Sequence, residues 1–255
     1  MPDHPSSNPF DVAALSAHLG DLPLVERLQA IRDVIPGRLV FTTSFGLEDQ
    51  ALTHALAEAG VSLALATLDT GRLFDETLEL WAETELRYGI RIEAVLPDGP
   101  SLEALMARQG PLGFRSSIEA RRACCGIRKV EPLGRALVGA EGWLTGLRAG
   151  QSADRAATPL VGRDPDHRLL KINPLADWDR AAVEAYVRRN AVPYNPLHDR
   201  GFLSIGCAPC TRAVRIGEDE RAGRWWWESE AKKECGLHNR PARQPSAAER
   251  ILEPA

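Results

Sequence analysis

Short apolar runs alternate along this chain with stretches that carry apolar residues at helical spacing, and that order leaves few folds open. Arg38–Thr43, Val61–Leu68, Ile90–Leu96, Gly142–Leu147 and Arg168–Ile172 read as buried strands. Between them, Glu48–Ala59 sets Leu47, Ala51, Leu52, Ala55, Leu56 and Ala59 on one helical face, and Phe74–Tyr88 does the same with Phe74, Leu78, Trp81 and Ala82. Asp177–Asn190 is expected to turn Trp178, Ala181, Ala182, Ala185 and Tyr186 inward, and Asp21–Val34, Ser101–Gln109 and Glu119–Leu137 also read as helices. Strands alternating with helices build a parallel sheet covered on both faces, so the pattern predicts an α/β fold with a mostly parallel, doubly wound sheet. Ligands on such sheets bind at the carboxyl ends of strands. Residues 1–20 read as a polar lead-in, 21–200 as the α/β domain, 201–238 as an irregular extension rich in Pro, Gly, Cys, Arg and Trp, and 239–255 as a tail.

Composition removes several classes of function. With 44% hydrophobic and 26% charged residues the chain is an ordinary globular one, and 255 residues suffice for a full core. Its net charge of −4 argues against a general nucleic-acid binder. No apolar run approaches the roughly 18 residues of a membrane span, and the opening Met-Pro-Asp-His-Pro lacks the basic and apolar regions of a secretory leader. A reducing cytoplasm is therefore expected, and five cysteines, an odd number, do not suggest a disulfide framework.

Four of those cysteines form two close groups, Cys124-Cys125 and Cys207-Ala-Pro-Cys210, while Cys235 stands alone. Two pairs brought together by a fold make a four-thiolate site, for which tetrahedral zinc and an iron–sulfur cluster are both candidates. Adjacent ligands suit a single small ion badly, and neighbouring cysteines can each hold a different iron, so Cys124-Cys125 favours [4Fe–4S]. A redox dithiol at Cys207 and Cys210, or a buried free pair, stays open. From Glu119 to Lys129 the chain carries Arg121, Arg122, Arg128 and Lys129 against one acid, which suits the negative charge of a thiolate-bound cluster but would equally make a solvated basic helix face.

Three strand-end loops are hospitable to anions. Thr43-Ser44-Phe45-Gly46-Leu47-Glu48-Asp49 puts a hydroxyl and a glycine just before a helix, although Ser44 could serve as no more than the helix cap. Leu68-Asp69-Thr70-Gly71-Arg72 repeats the logic, and the loop from Arg148 to Arg155 offers two guanidinium groups suited to phosphate or sulfate oxygens. Together they imply a nucleotide-like small molecule at the top of the sheet. Lys232, Lys233 and His238 beside Cys235 favour its thiolate, Glu234 opposes it, and an inert surface cysteine remains the alternative. Trp225-Trp226-Trp227 reads as an anchor for the extension rather than as a base-stacking platform.

The ordered motifs Cys124-Cys125-Gly-Ile-Arg128-Lys129-Val-Glu-Pro, Cys207-Ala-Pro-Cys210-Thr-Arg212, Glu220-Arg221-Ala-Gly-Arg224-Trp-Trp-Trp-Glu and Lys233-Glu234-Cys235-Gly-Leu-His238 resemble those of the assimilatory, thioredoxin-dependent adenylyl-sulfate reductases. The resemblance runs from about Phe41 to His238. It implies a PP-loop-like fold, one [4Fe–4S] cluster per subunit on Cys124, Cys125, Cys207 and Cys210, and thioredoxin or a glutaredoxin-like protein as reductant. By the same resemblance Ser44, Phe45 and Gly46 belong to a modified phosphate loop, Leu68, Asp69, Thr70 and Gly71 to the adenosine side, and Gly146, Arg148 and Arg155 to an arginine loop. Lys129, Arg221 and Arg224 match positions facing a phosphosulfate, His238 matches a further substrate position, and Cys235 matches the nucleophile. A homo-oligomer is expected. The implied reaction is reduction of adenylyl sulfate to sulfite and AMP, with 3′-phosphoadenylyl sulfate, or both nucleotides, as the alternative. An ATP pyrophosphatase or adenylyltransferase on the same fold would have no need of Cys235, and a zinc-stapled binding module would be colourless.

Overall fold

The computed structural model describes residues 11–228 and 236–237. Among them, β1 (Leu39–Thr43), β2 (Ala64–Leu68), β3 (Glu93–Val95), β4 (Gly142–Leu144), β5 (Val161–Asp164) and β6 (Leu169–Ile172) form one sheet in the order β3-β2-β1-β4-β6-β5. All neighbours run parallel except β5, which returns antiparallel along β6. The chain builds outward from β1 to β2 and β3, then resumes on the other side with β4. The direction of winding therefore reverses between β1 and β4, where a crevice opens at the strands' carboxyl ends.

β1 shows why its apolar run is unbroken. Leu39 and Phe41 point to one face, into a core with α2 (Leu24–Val34), α3 (Leu47–Glu58) and α8 (Arg180–Arg189), while Val40 points to the other, against Trp143 and the Leu133–Ala136 turn of α7 (Glu131–Ala136). Both faces of the strand are buried, as a parallel sheet requires. Of the expected α3 face, Leu47, Ala51, Leu52, Ala55 and Leu56 are buried.

Several elements differ from the sequence expectation. Residues Val12–Gly20, read as a polar lead-in, form helix α1, capped by Asp11, whose Oδ1 accepts from the amides of Ala13 and Ala14 at 3.0 and 3.2 Å, and docked through Leu15 and Leu19. In α4 (Asp75–Tyr88) the buried stripe is Thr77, Leu80 and Thr84, with Leu78 and Ala82 exposed, because Thr84 and Thr77 hydrogen-bond Gln50 and Asn195 in the interior at 2.9 and 3.0 Å. In α8, Val183 and Val187 are buried while Ala181, Ala182 and Ala185 face solvent. A β-branched pair four residues apart outweighs three alanines as a docking face, since it removes more apolar area from water.

The largest departure lies after α5 (Gly99–Gln109). The expected continuous helix from Glu119 to Leu137 is three pieces: α6 (Ile118–Cys125), a π-helical turn (Gly126–Val130) and α7. Pro132 has no N–H to return to the carbonyl of Arg128, and the Glu131 amide instead reaches back to Gly126. The widened turn follows directly on Cys124-Cys125 and contains Lys129.

Candidate functional site

A cavity of about 190 Å³ occupies the crevice at the carboxyl ends of β1, β2 and β4. Thr43, Thr67 and Thr145, at or next to three strand ends, line it, a regularity that sequence reading missed although it is visible as threonine at or near the end of three of the apolar runs. Of the residues expected to bind substrate, Ser44, Phe45, Gly46, Leu68, Thr70, Lys129, Gly146, Arg155, Arg221 and Arg224 line the cavity. Asp69, Gly71 and Arg148 do not. Cys235 and His238 lie outside the described residues, while Leu237 lines the cavity and Gly236 approaches Val130.

The loop after β1 is held in an unusual shape. Phe45 takes a positive φ of 60° and is buried against Trp81, ring centroids 5.7 Å apart, and its amide donates to Thr43 Oγ1 at 3.1 Å. That conformation is uncommon for a bulky residue and persists here because burial fixes it. Ser44 does not cap α3: its amide and hydroxyl both donate to Asp49 Oδ2, at 2.6 and 2.8 Å, and the cap position falls on Gly46. Burial pushes the Asp49 carboxyl up to about 6 despite the Ser44 bonds that oppose the shift, with Glu48 adding to it.

The loop after β4 comes within contact of the same carboxylate, since a Cβ at Gly146 would stand 2.3 Å from Asp49 Oδ1. Arg155 lines the cavity and donates to Gln151 Oε1 at 2.5 Å. Arg148 is 1% exposed and engaged elsewhere: Nε donates to Glu48 Oε1 at 2.7 Å, and Nη2 donates to Glu220 Oε1 and Oε2 at 3.0 and 3.1 Å. Arg148 itself does not line the cavity, whereas the two carboxylates it holds do. Burial raises the pKa of both acids. For Glu48 the adjacent Arg148 outweighs it and the net shift is downward, whereas Glu220 stays above its ordinary range.

The extension supplies the far wall. A tight turn in which the Arg224 amide donates to the Arg221 carbonyl at 3.0 Å brings both arginines to the cavity. Arg224 is 6% exposed, its guanidinium lies 4.7 Å from the Trp225 ring, and its buried Nε has no hydrogen-bond partner among the described residues. A buried cationic donor of this kind marks a place for an anion. Trp225 lies beneath, also covered by Arg121 at 4.4 Å, and donates its amide to the Cys210 carbonyl at 3.1 Å. Of the three tryptophans, Trp225 and Trp227 pack into the core around the cysteines and anchor the extension, although Trp225 also lines the cavity.

Beside this cavity, Cys124, Cys125, Cys207 and Cys210, buried and free of disulfides, converge with Phe114, Arg72, Arg121, Arg128 and Lys129 on a second void. Lys129 lines both spaces. Thr70 Oγ1 lies 3.3 Å from Cys207 Sγ, and Arg128 donates to the Thr70 carbonyl, which ties the loop after β2 to the thiol site. Burial pushes the Cys210 thiol up to about 11 and Cys124 also upward. Burial acts on Cys207 in the same sense, but Lys129, Thr70, Arg224 and Arg128 together hold it below its ordinary range. Among the described residues no three His, Cys, Asp or Glu side chains are arranged around a single metal ion. The donor set nevertheless fits an iron–sulfur cluster: four buried thiols face one void, and the charged side chains around it are all cationic. No helix among the described residues is long and apolar enough to cross a membrane.

The fold and the cavity at its switch point define a doubly wound α/β protein of the PP-loop type. Comparison with known proteins narrows this. The model of the phosphoadenosine phosphosulfate reductase domain matches residues 38–213, and the chain belongs to that family. It is 52% identical over 234 residues to the adenosine 5′-phosphosulfate reductase of Agrobacterium fabrum, covering 92% of this chain and 90% of the relative. Against the enzyme of that name from Allochromatium vinosum it is 53% identical over 211 residues, 82% of each. Among solved structures, the phosphate complex of phosphoadenylyl-sulfate reductase from Candida auris superposes with a TM-score of 0.68 at 30% identity, covering 80% of this chain and 96% of that one. Yeast FAD synthetase, at 13% identity and a TM-score of 0.52, shares the fold alone.

Proposed function

We propose that this protein reduces adenylyl sulfate to sulfite and AMP in sulfate assimilation, with thioredoxin as the electron donor. The observation that carries the reading is the anion-ready wall of the cavity, where Arg224, buried and with Nε unpartnered among the described residues, stands with Arg221, Arg155 and Lys129. A phosphosulfate presents two adjacent anionic groups to such a wall, and bidentate guanidinium contacts would hold it and take up the charge that develops on the departing phosphate. Leu68 and Thr70, after β2, would face the adenosine end, and the loop of Ser44, Phe45 and Gly46 after β1 the phosphate end.

In this reading the Cys235 thiolate attacks the sulfate sulfur in line and the bond from sulfur to the bridging oxygen breaks. AMP departs with that oxygen, leaving S-sulfocysteine. A thioredoxin thiolate then attacks Cys235 Sγ and expels sulfite, and its second thiol resolves the mixed disulfide, so two electrons pass from the dithiol to the sulfur centre. Leu237, two residues beyond Cys235, lines the cavity and supports this placement of chemistry. Cys124, Cys125, Cys207 and Cys210 would hold a [4Fe–4S] cluster, whose contribution when bound is a fixed charge beside the cavity. Lys129, lining both spaces, is the side chain placed to respond to it. The relatives at about half identity support adenylyl sulfate over its 3′-phosphorylated form.

The test is anaerobic incubation with adenylyl sulfate and no reductant, followed by peptide mass measurement. One sulfonate gained on the peptide containing Cys235, lost in Cys235→Ser, is the expected result. Turnover that survives Cys235→Ser would overturn the reading, and a larger kcat/KM for 3′-phosphoadenylyl sulfate would reassign the substrate.

A further inference from the structure

Besides Asp49, which accepts from the Ser44 amide and hydroxyl, two carboxylates, Glu48 and Glu220, line a cavity whose other charged groups suit an anion. Left to themselves they would repel a phosphosulfate. The buried Arg148 holds both, and the partly exposed Arg180 reaches Glu220 Oε1 at 3.4 Å while donating to the Leu203 carbonyl at 3.1 Å. The three residues of the bridge come from separate parts of the chain, the first turn of α3, the loop after β4 and the extension. Glu220 directly precedes the Arg221–Arg224 turn, so its place fixes where that turn begins.

We infer that Arg148 is a positioning residue: by bridging Glu48 and Glu220 it clamps the Arg221–Arg224 turn over the cavity and turns the two carboxylates away from the anion, without touching the nucleotide itself. The inference rests on the proposed binding of an adenine nucleotide in this cavity. It assigns to Arg148 a role different from that of Arg155, which lines the cavity seven residues further on.

The clamp makes a prediction that direct phosphate contact does not. Binding of AMP and of adenosine to the full-length holoprotein is measured by calorimetry for Arg148→Met, Glu220→Gln and the double variant. Each single change removes charge-assisted hydrogen bonds from one bridge, so each should weaken AMP at least about tenfold and leave adenosine, which lacks the phosphate, unchanged. Because both act through the same bridge, the double variant should bind AMP no more weakly than the poorer single one. Equal, additive losses, or a loss in Arg148→Met with none in Glu220→Gln, would overturn the inference in favour of direct contact. Lowered thermal midpoints with wild-type AMP affinity would overturn it in favour of a purely structural bridge. If Arg148→Met does not fold, Arg148→Lys replaces it, and AMP affinity in that variant should fall between wild type and Glu220→Gln. Wild-type protein that fails to bind AMP would overturn the nucleotide reading and the clamp with it.

Discussion

Gly206 and Arg224 touch where the glycine lacks a side chain: a Cβ at position 206 would stand 2.3 Å from Arg224 Nη2 and 2.5 Å from its Cζ. Position 206 has no positive φ, so alanine suits the backbone there, and the atoms in the way are the far end of a movable side chain. Gly206→Ala should therefore fold normally while pushing the guanidinium out of the anion wall. We expect AMP affinity to fall about tenfold, the loss of one charge-assisted hydrogen bond, with adenosine affinity unchanged. Calorimetry of both ligands checks this, and unchanged AMP binding would remove Arg224 from the site.

Gly146 presents the opposite case. Its Cβ would meet Asp49 Oδ1 at 2.3 Å and Glu48 Cβ at 3.0 Å, and the second neighbour is fixed to the first turn of α3. Something in the packed loop has to shift, and overpacking of this kind costs about 1–3 kcal/mol. Gly146→Ala should lower the thermal midpoint by several degrees, whereas Gly150→Ala, whose Cβ would find its nearest neighbour at 3.8 Å, should leave it in place. Equal midpoints for the two variants would refute the argument.

The contrast shows what was legible in the sequence. The α/β class, the positions of the parallel strands along the chain and most of the loops that line the cavity follow from alternation and from glycine and hydroxyl residues at strand ends, which are local signals. Arg148 was not legible, because whether an arginine in a flexible loop faces a ligand or a carboxylate depends on Glu48 and Glu220, respectively 100 residues before it and 72 after it in the chain. The π-helical turn escaped for a related reason. The apolar and charged spacing across Glu119–Leu137 fits a regular helix, and only the missing N–H of Pro132 hinted that one turn would widen. The antiparallel β5 and the docked α1 are short elements whose pairing and burial come from tertiary contact.

Asp49 gives the site a pH dependence of stability. Its carboxyl moves from 3.8 to about 6 on folding, chiefly through burial, so between these values the folded state binds the proton more tightly than the unfolded one. Stability from this group is therefore greatest below pH 3.8 and is lost as pH rises towards 6, a change of about 3 kcal/mol for a shift of about two units. An Asn oxygen can still accept from the Ser44 amide and hydroxyl. Asp49→Asn should thus gain on wild type in thermal midpoint between pH 4.5 and 7.5, with the difference levelling off above pH 7. A difference that stays constant across that range would show that Asp49 does not titrate there.

Arg121 and Glu228 form a buried ion pair, with Nε donating to Oε1 at 2.5 Å and side chains 1% and 5% exposed. The pair joins α6, which carries Cys124 and Cys125, to the end of the tryptophan segment, whose Trp225 amide bonds the Cys210 carbonyl. Removing one member of a buried pair leaves a charge without its compensation and costs about 3–5 kcal/mol, while replacing both with apolar groups is often near neutral. Glu228→Ala should therefore lower the thermal midpoint sharply and speed alkylation of Cys210 in the metal-free protein. Arg121→Met combined with Glu228→Leu should recover most of the midpoint. If the double variant is no more stable than Glu228→Ala, the single variant's loss comes from packing around Trp225 rather than from an uncompensated charge.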